Sequence, residues 1–388
     1  MADPVNTLAI VGASARAAVF SAVRAGFEVI AADLFADADL ARVVDVTRID
    51  DYPSGLTQWL RDVDCGGWLY TGALENYPAQ IDLMRALQPL LGNDGEALDN
   101  VRDPLALERA AAEAGLSFPE TRSNAAGLPL DGSWLCKTYR GSSGTDVWRL
   151  DGANALERAE RKQAFFQRYV AGESAAAVFV AASDGARVLG VTRQWVGGHD
   201  EHEWRYSGSI GPILVSENIA RQLAPIGDLL ARRFGLRGLA GVDLILADDR
   251  AWIVEVNPRY TASVEILERA SGLSAVAAHV AACDPEHWGS SGETPTPRVL
   301  NLATTVHAKT ILFAHREIHV SSAFTRWAHG RSGLDVNAAW LADIPHPGEA
   351  VPVGRPVLTV FAAAPSITAC EAELRQRVAE VQSRLYHQ

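Results

Sequence analysis

Apolar runs of strand length alternate with a helical stretch at the start of the chain. The run 7–11 leads through the turn GASAR into a helical stretch, 17–25, and then into a second apolar run, 27–32. This order predicts a βαβ unit. The turn lacks the GxGxxG spacing of a dinucleotide site, so a nicotinamide cofactor is not expected. Ser14 and Arg16 could hold an anion at the helix N-terminus, or Ser14 could cap the helix.

A third strand of the same sheet is predicted at 68–72, and Glu75 and Asn76 follow it directly. Open α/β sheets bind ligands beyond the carboxyl ends of their strands. Glu75 and Asn76 are therefore candidate substrate contacts.

A different pattern begins after Asp103-Pro104, which opens a predicted helix. Lys137 lies on a predicted strand, 134–138, and the loop RGSSGT at 140–145 joins it to another strand. A lysine followed by a glycine-serine loop suits a polyphosphate, because backbone N–H groups surround the phosphates while the ammonium neutralises them. The same loop is compatible with an ordinary hairpin.

A break in apolar patterning at 171–172 predicts a hinge between two subdomains, spanning 167–173. The segment 193–212 is rich in Gly, His, Trp and Tyr and is predicted to be an irregular functional loop or lid. His199 and His202 in it are expected to be solvated rather than metal-bound.

The alternation at 242–246 and 252–256 predicts two antiparallel strands joined by a five-residue loop. If this hairpin is symmetric about its centre, Asp243 pairs with Glu255, and Asn257 lies on the same face. Two carboxylates about 5 Å apart repel by roughly 3 kcal/mol at an effective dielectric near 20. Carboxylate and amide oxygens suit Mg²⁺ or Mn²⁺, so these three residues are the predicted metal ligands. The alternative is a hairpin whose acids both point to solvent.

Composition limits the class of protein. The 388 residues suggest two to four domains, and 48% hydrophobic with 21% charged residues is typical of a soluble globular protein. A net charge of −12 argues against binding to nucleic acid or anionic membranes. The four cysteines are widely spaced and are expected to be reduced thiols. We expect a cytoplasmic protein, since we find no basic leader and no apolar run of membrane-spanning length.

Lys137, the glycine-serine loop, QRYVAGES, GVDLIL and EVNPR occur in the order and approximate spacing of the ATP-grasp superfamily, which this chain resembles. The resemblance implies an α/β and α+β protein with an ATP-grasp fold. It also implies four domains: a Rossmann-like preATP-grasp domain at 1–103, a lid subdomain at 104–170, a subdomain with the metal site at 171–290, and a small β-rich C-terminal α+β domain at 291–388. The N-terminal stretch resembles predicted ATP-dependent carboligases related to biotin carboxylase, a group associated with tetrahydromethanopterin and methanofuran genes of methylotrophs.

The resemblance also implies roles for residues. ATP would contact Lys137 and the loop residues Gly141, Ser142, Ser143 and Gly144, while Gln167, Tyr169 and Val170 meet the adenine and Glu173 the ribose. Mg²⁺ or Mn²⁺ would lie on Asp243, Glu255 and Asn257, and Arg259 would hold a phosphate or carboxylate with its bidentate fork. Relatives often carry a cation just before the first lid helix, where this chain has Asp103-Pro104. Arg102 is the candidate replacement.

These roles imply an ATP-dependent carboxylate–amine ligase that acts on small molecules through an acylphosphate, in small-molecule or one-carbon cofactor biosynthesis. Two alternatives remain open at this point. One is a carboxylase-like enzyme that phosphorylates bicarbonate, and the other is a non-catalytic nucleotide-binding regulator. A homodimer is an expectation from the family alone.

Overall fold

In the computed structural model, which describes residues 7–197, 203–288 and 305–386, the N-terminal strands form a parallel sheet in the order β3-β2-β1-β4. Its elements are β1 (Thr7–Val11), α1 (Arg16–Arg24), β2 (Glu28–Asp33), β3 (Asp45–Arg48), α2 (Ser54–Asp62), β4 (Gly67–Tyr70), α3 (Pro78–Arg85) and α4 (Gly95–Arg102). The predicted βαβ unit is confirmed. The edge strand β3 escapes a search for apolar runs because its sequence, DVTR, is polar and largely exposed.

Residues 104–168 form a separate antiparallel sheet in the order β5-β8-β6-β7. Its elements are α5 (Pro104–Glu113), β5 (Thr121–Arg122), β6 (Trp134–Lys137), β7 (Val147–Arg149), α6 (Ala153–Arg161) and β8 (Phe165–Arg168). Asp103 caps α5, since its carboxylate accepts the N–H groups of Leu105 and Ala106 at 2.9 and 3.2 Å. We call this unit the lid.

The rest of the chain forms one eight-stranded sheet, in the order β13-β12-β9-β10-β11-β14-β18-β16, and a separate two-stranded sheet of β15 and β17. The elements before the gap are β9 (Glu173–Ala182), β10 (Gly185–Val196), β11 (Tyr206–Gly211), α7 (Glu217–Asp228), β12 (Gly238–Ala247), β13 (Arg250–Asn257), α8 (Ala262–Ser271), α9 (Ala275–Cys283) and α10 (Pro285–Trp288). Those after it are β14 (Val306–Phe313), β15 (Ile318–His319), α11 (Ser322–His329), β16 (Leu341–Ala342), β17 (Ala350–Val351), β18 (Pro356–Ala364) and α12 (Ile367–Tyr386). The boundary predicted at 290/291 lies outside the described residues.

The prediction of an irregular loop at 193–212 is wrong for its described part. Strand β10 runs to Val196 and β11 begins at Tyr206, and the two pair antiparallel with a bulge between Trp195 and Val196. Gly197 after β10 and the glycines of β11 obscured the alternation of side chains. His199 and His202 lie outside the described residues. Among the residues that the structure describes, no helix is both long and apolar enough to cross a membrane.

Arg16, the first residue of α1, joins the N-terminal sheet to α8 and to the C-terminal part of the chain. Its guanidinium donates to Glu265 on α8 at 3.1 Å and to Asp343 at 2.8 Å, and Lys309 on β14 donates to the same Glu265 oxygen at 3.1 Å. The anion that Arg16 holds is therefore supplied by the protein's own carboxylates. Ser14 does not cap α1, whose N-cap residue is Ala15 without a side-chain hydrogen bond.

Candidate functional site

The hairpin of β12 and β13 brings Asp243 opposite Glu255, as predicted. The expected five-residue loop is wrong, because the strands continue to a two-residue turn, Asp248-Asp249, with φ of 50° and 60°. Positive φ at both central residues is what a tight hairpin turn requires. A bulge between Asp243 and Leu244 then shifts the register by one residue. The pairing was predicted correctly because the bulge offsets the error in loop length.

Asp243 is fixed by two amide side chains. Gln194 on β10 donates to one carboxylate oxygen at 3.0 Å, and Asn257 donates to the other at 2.9 Å. Burial, and after it the negative charge of Glu255, raises the pKa of Asp243 to about 6. Glu255 is more open, with 41% of its side chain exposed. The pair therefore consists of one anchored carboxylate and one that can adjust to a ligand.

This donor set fits Mg²⁺. The described residues contain no cluster of three His, Cys, Asp or Glu side chains that could hold a metal. A Mg²⁺ site commonly uses one or two carboxylates and leaves its other positions to phosphate and water, which Asp243 and Glu255 can provide. Asn257 directs its amide nitrogen to Asp243, and its oxygen accepts from Arg259 at 3.3 Å. It would have to turn its amide over to bind a metal, so its ligand role stays a prediction.

Lys137 and Gln167 come from neighbouring strands of the lid, β6 and β8, and they meet on the opposite side of the cleft. The Lys137 ammonium donates to the Gln167 side-chain oxygen at 2.9 Å. Burial lowers the pKa of Lys137, and the carboxylates of Glu255 and Asp243 partly oppose that shift. The amide nitrogen of Gln167 is buried without a hydrogen-bond partner. An unsatisfied buried donor is unfavourable, and a ligand acceptor in the cleft would satisfy it.

The glycine-serine loop is held against the β10–β11 connection. The N–H of Tyr206 donates to the carbonyl of Ser143 at 3.0 Å. Gly144 has a φ of +72°, and a Cβ at this position would lie 1.9 Å from the carbonyl oxygen of Trp204. Only glycine fits this approach, because any side chain would meet backbone atoms.

A cleft of about 390 Å³ lies between the lid and the eight-stranded sheet. The predicted site residues that line it are Lys137, Ser142, Ser143, Gly144, Gln167, Tyr169, Val170, Asp243, Glu255, Asn257 and Arg259. Gly141 lines a smaller neighbouring cavity of about 70 Å³ together with Arg102. The volume of the larger cleft is within the range of small-molecule sites. The structure thus brings together, around one cleft, residues that are far apart in the chain.

Glu173 is the predicted site residue that the structure leaves outside both cavities. Its neighbours Gly172 and Ser174 line the cleft, whereas Glu173 forms an ion pair with Arg193 at 2.8 Å. Since strand side chains alternate, Glu173 and Ser174 point to opposite faces of the sheet. A ribose contact through the Glu173 side chain is not supported by this arrangement.

Sequence reasoning missed four residues of the cleft wall, Gln194, Val196, Trp204 and Tyr206, because it assigned their segment to a loop. Trp204 contacts the ring of Tyr169 with centroids 5.8 Å apart. The Arg149 guanidinium lies 4.4 Å from the centre of the Tyr169 ring and 5.2 Å from that of Trp204. These side chains form an aromatic wall at the hinge end of the cleft, suited to a flat base.

Arg259, the predicted phosphate or carboxylate contact, is engaged by the protein itself. Its Nε donates to Glu75 at 2.7 Å, and its Nη2 lies 2.6 Å from the same oxygen. Arg102 also approaches Glu75 at 3.5 Å, and its Nη2 lies 3.7 Å from Glu255 and 3.4 Å from the carbonyl of Gly141. Arg102 thus reaches the glycine loop and a metal carboxylate from the lid entrance, which supports its role as the lid cation.

Comparison with known proteins agrees with this geometry. Residues 101–263 match the family model described as an ATP-grasp domain. Residues 101–263 are thus similar to an ATP-grasp domain, and the predicted ATP-grasp fold with both α/β and α+β parts is confirmed.

Solved structures extend the similarity of fold beyond that domain. The chain is similar to the ADP complex of purK, an N5-carboxyaminoimidazole ribonucleotide synthetase, with a TM-score of 0.71, 16% identity, and coverage of 98% of each chain. It is similar to biotin carboxylase from Campylobacter jejuni with a TM-score of 0.72, 12% identity, and coverage of 97% of this chain and 90% of the other. At these identities the likeness shows the fold alone.

A relative found by sequence is the carbamoyl phosphate synthase large chain of Kocuria rhizophila, which is 26% identical over 217 residues. The match covers 50% of this chain and 19% of the relative. Because the chain spans only about a fifth of that relative's length, the activity of the relative cannot be transferred whole.

Proposed function

We propose that the protein is an ATP-dependent carboxylate–amine ligase that releases ADP and phosphate. The observation that carries this proposal is the meeting of Lys137, the glycine loop, Asp243 and Glu255 around one cleft in an ATP-grasp domain. Small-molecule carboxylate and amine substrates, biosynthesis of a small molecule or one-carbon cofactor, a cytoplasmic location and a homodimer belong to the same proposal.

The reaction has two steps. A carboxylate oxygen of the acid forms a bond to the γ-phosphorus of ATP while the bond to the β-phosphate oxygen breaks, which gives an acylphosphate and ADP. The amine nitrogen then bonds to the acyl carbon, phosphate leaves with the C–O bonding pair, and the amine proton passes to solvent. Positioning and stabilisation of the phosphoryl charge dominate catalysis of such transfers.

The chain's residues divide this work by position. Lys137 approaches the phosphate end from the lid and Arg102 from the end of α4, and the loop 141–144 covers that end. Asp243 and Glu255 would hold Mg²⁺, which supplies charge neutralisation at the phosphate oxygens. The unpaired amide of Gln167 and the aromatic wall of Tyr169 and Trp204 suit the base. The lid excludes water from the transferring group.

The first test is the melting temperature with a non-hydrolysable ATP analogue, with and without Mg²⁺. A ligand at about 100 times its Kd stabilises the folded state by about 2.7 kcal/mol, so a Mg²⁺-dependent rise is expected. ADP release is then measured with a panel of acids and amines. Release with bicarbonate and no amine would favour a carboxylase, and binding without release under any condition would favour a regulator.

A further inference from the structure

Glu75 is a buried carboxylate at the centre of two arginines from different parts of the chain. Only 1% of its side chain is exposed. One of its oxygens accepts from Arg259 at 2.7 Å and lies 3.5 Å from Nη1 of Arg102. Its other oxygen and the Arg102 Nη1 are both buried without a hydrogen-bond partner. Glu75, which follows β4, therefore links the N-terminal sheet to Arg102, just before the lid, and to Arg259, just after β13.

The contact with Glu75 determines what Arg259 can offer to a ligand. A guanidinium has five N–H donors. Arg259 directs Nε and Nη2 to Glu75, Nη2 also to Asn257 at 3.3 Å, and Nη1 to the Tyr260 carbonyl at 3.2 Å. The edge of the guanidinium formed by Nε and Nη2 thus faces Glu75 and is not open to an incoming carboxylate or phosphate. The remaining N–H of Nη1 is held in a fixed direction.

Glu75 also sets the charge at the phosphate end of the cleft. The cations there are Lys137, Arg102 and Arg259, and the carboxylates are Asp243, Glu255 and Glu75. These three positive and three negative charges balance. Without Glu75 the phosphate end would carry one net positive charge.

We propose that Glu75 is a positioning residue that acts as the internal counter-anion of Arg259 and Arg102, fixing the direction of Arg259 and limiting the attraction of the cleft for phosphate groups. This inference rests on the proposed function. A freely available arginine would bind substrate and product phosphates alike, and such uniform binding does not speed the chemical step. Restraint by Glu75 keeps the arginine aimed while leaving ADP and phosphate able to depart.

The test measures the affinity of a non-hydrolysable ATP analogue, in excess Mg²⁺, for the full-length wild type, Glu75→Gln, Arg259→Gln and the double variant. Glu75→Gln should bind on the order of fivefold more tightly, the effect of one unit charge over roughly 10 Å at an effective dielectric near 30. AMP, which lacks the two outer phosphates, should show a smaller change. Arg259→Gln should bind more weakly because it leaves Glu75 unbalanced, and adding Glu75→Gln should restore affinity.

The matched control is Glu373→Gln, which removes a carboxylate paired with Arg377 at 2.7 Å on α12, away from the cleft. It should leave analogue affinity unchanged. A purely structural Glu75 would make Glu75→Gln bind equally or less tightly, and that result overturns the inference. If Glu75→Gln does not fold, the double variant, which removes Arg259 together with its counter-charge, is compared with Arg259→Gln, and no gain in analogue affinity overturns the inference. Absence of Mg²⁺-dependent binding by the wild type would overturn the proposed function itself.

Discussion

Asp243 and Glu255 lie opposite each other on paired strands although like charges destabilise such a pair. Burial and the neighbouring charge of Glu255 raise the pKa of Asp243 to about 6, because both disfavour the ionised carboxylate. Lys137 and Arg259 lower that pKa but do not cancel the shift. Residues kept in an unfavourable electrostatic arrangement inside a cleft are candidates for function.

The change Glu255→Gln should therefore abolish ADP formation, since one metal carboxylate is lost, without lowering the melting temperature measured in the absence of metal. Removal of one of two facing charges relieves repulsion. The measurements are ADP release and thermal unfolding with a chelator present. Asp248→Asn, in the exposed turn of the same hairpin, is the control and should keep both properties. Near-normal turnover of Glu255→Gln would contradict the metal assignment.

The sequence alone predicts those site residues whose positions follow from the local alternation of side chains. Asp243, Glu255 and Asn257 follow from strand periodicity and short spacing. The contacts that orient them could not be predicted, because Gln194 is 49 positions from Asp243 and Glu75 is 184 positions from Arg259. Such contacts depend on tertiary packing, which periodicity does not encode. Glu75 was visible only as an acid beyond a strand end.

Among the elements, the glycine loop and the β10–β11 connection act as one unit. Gly144 fits against the carbonyl of Trp204, and Ser143 accepts the Tyr206 N–H. The loop therefore takes its position from the eight-stranded sheet although its own strands belong to the lid. This contact determines how closely the loop can cover a phosphate.

Substitution Gly144→Ala should weaken binding of the ATP analogue about tenfold or more, because the added Cβ would displace the loop from Trp204. The control is Gly127→Ala, also in the lid, where φ is +75° and no atom lies within 4 Å of the added Cβ. Both variants carry the strain of a left-handed alanine, roughly 1–2 kcal/mol, but only one meets a neighbour. Equal affinities by calorimetry would contradict a role for this contact.

Element prediction succeeded where side-chain alternation was clear and failed where glycines interrupted it. Strand β1 was predicted at its observed bounds, Thr7–Val11. The end of β10 and the whole of β11 were taken for a loop, because the glycines that follow β10 and those within β11 lack side chains to show the period and aromatic residues there line the cleft. The hairpin loop was misjudged because Asp248 and Asp249 adopt a tight turn that polar composition alone does not specify.

For the molecule as a whole, the parts are joined to different degrees. The part of the chain from β9 to β13 shares a sheet with the C-terminal strands through the β11–β14 pairing. The N-terminal sheet is tied to both by Arg16, Glu265, Lys309 and Asp343. The lid has a sheet of its own. Because the lid has a separate sheet, we expect it to move relative to the rest of the molecule when ligands enter and leave.

His279 on α9 makes the stability of the contact between β12 and the N-terminal part dependent on pH. Its Nδ1 accepts the Leu239 N–H at 2.8 Å and its Nε2 donates to the Leu91 carbonyl of the N-terminal part at 2.9 Å. Burial lowers the pKa of His279 from 6.5 to about 4. The neutral ring is the form that fits, so its contribution is complete above pH 6.5 and is lost as the pH falls toward 4.

The melting temperature of His279→Asn should accordingly lie below that of the wild type at pH 7.5, because the variant loses the hydrogen bonds that the buried ring makes with Leu239 and Leu91. The gap should shrink as the pH falls from 6.5 to 4, because the wild type alone must take up a proton at this position. Thermal unfolding of both proteins across this range provides the measurement. A constant gap would show that titration of His279 does not contribute.

The shared eight-stranded sheet also constrains how the chain can fold during synthesis. Strand β11 pairs with β10 on one side and with β14 on the other, and β14 begins only at Val306. Until β14 leaves the ribosome, β11 is an edge strand with one side unpaired, and such edges can pair with other chains. The cleft residues on β12 and β13 lie at the other end of the same sheet. Strands β9 to β13 can therefore pair with one another before β14, which covers the open edge of β11, has been made.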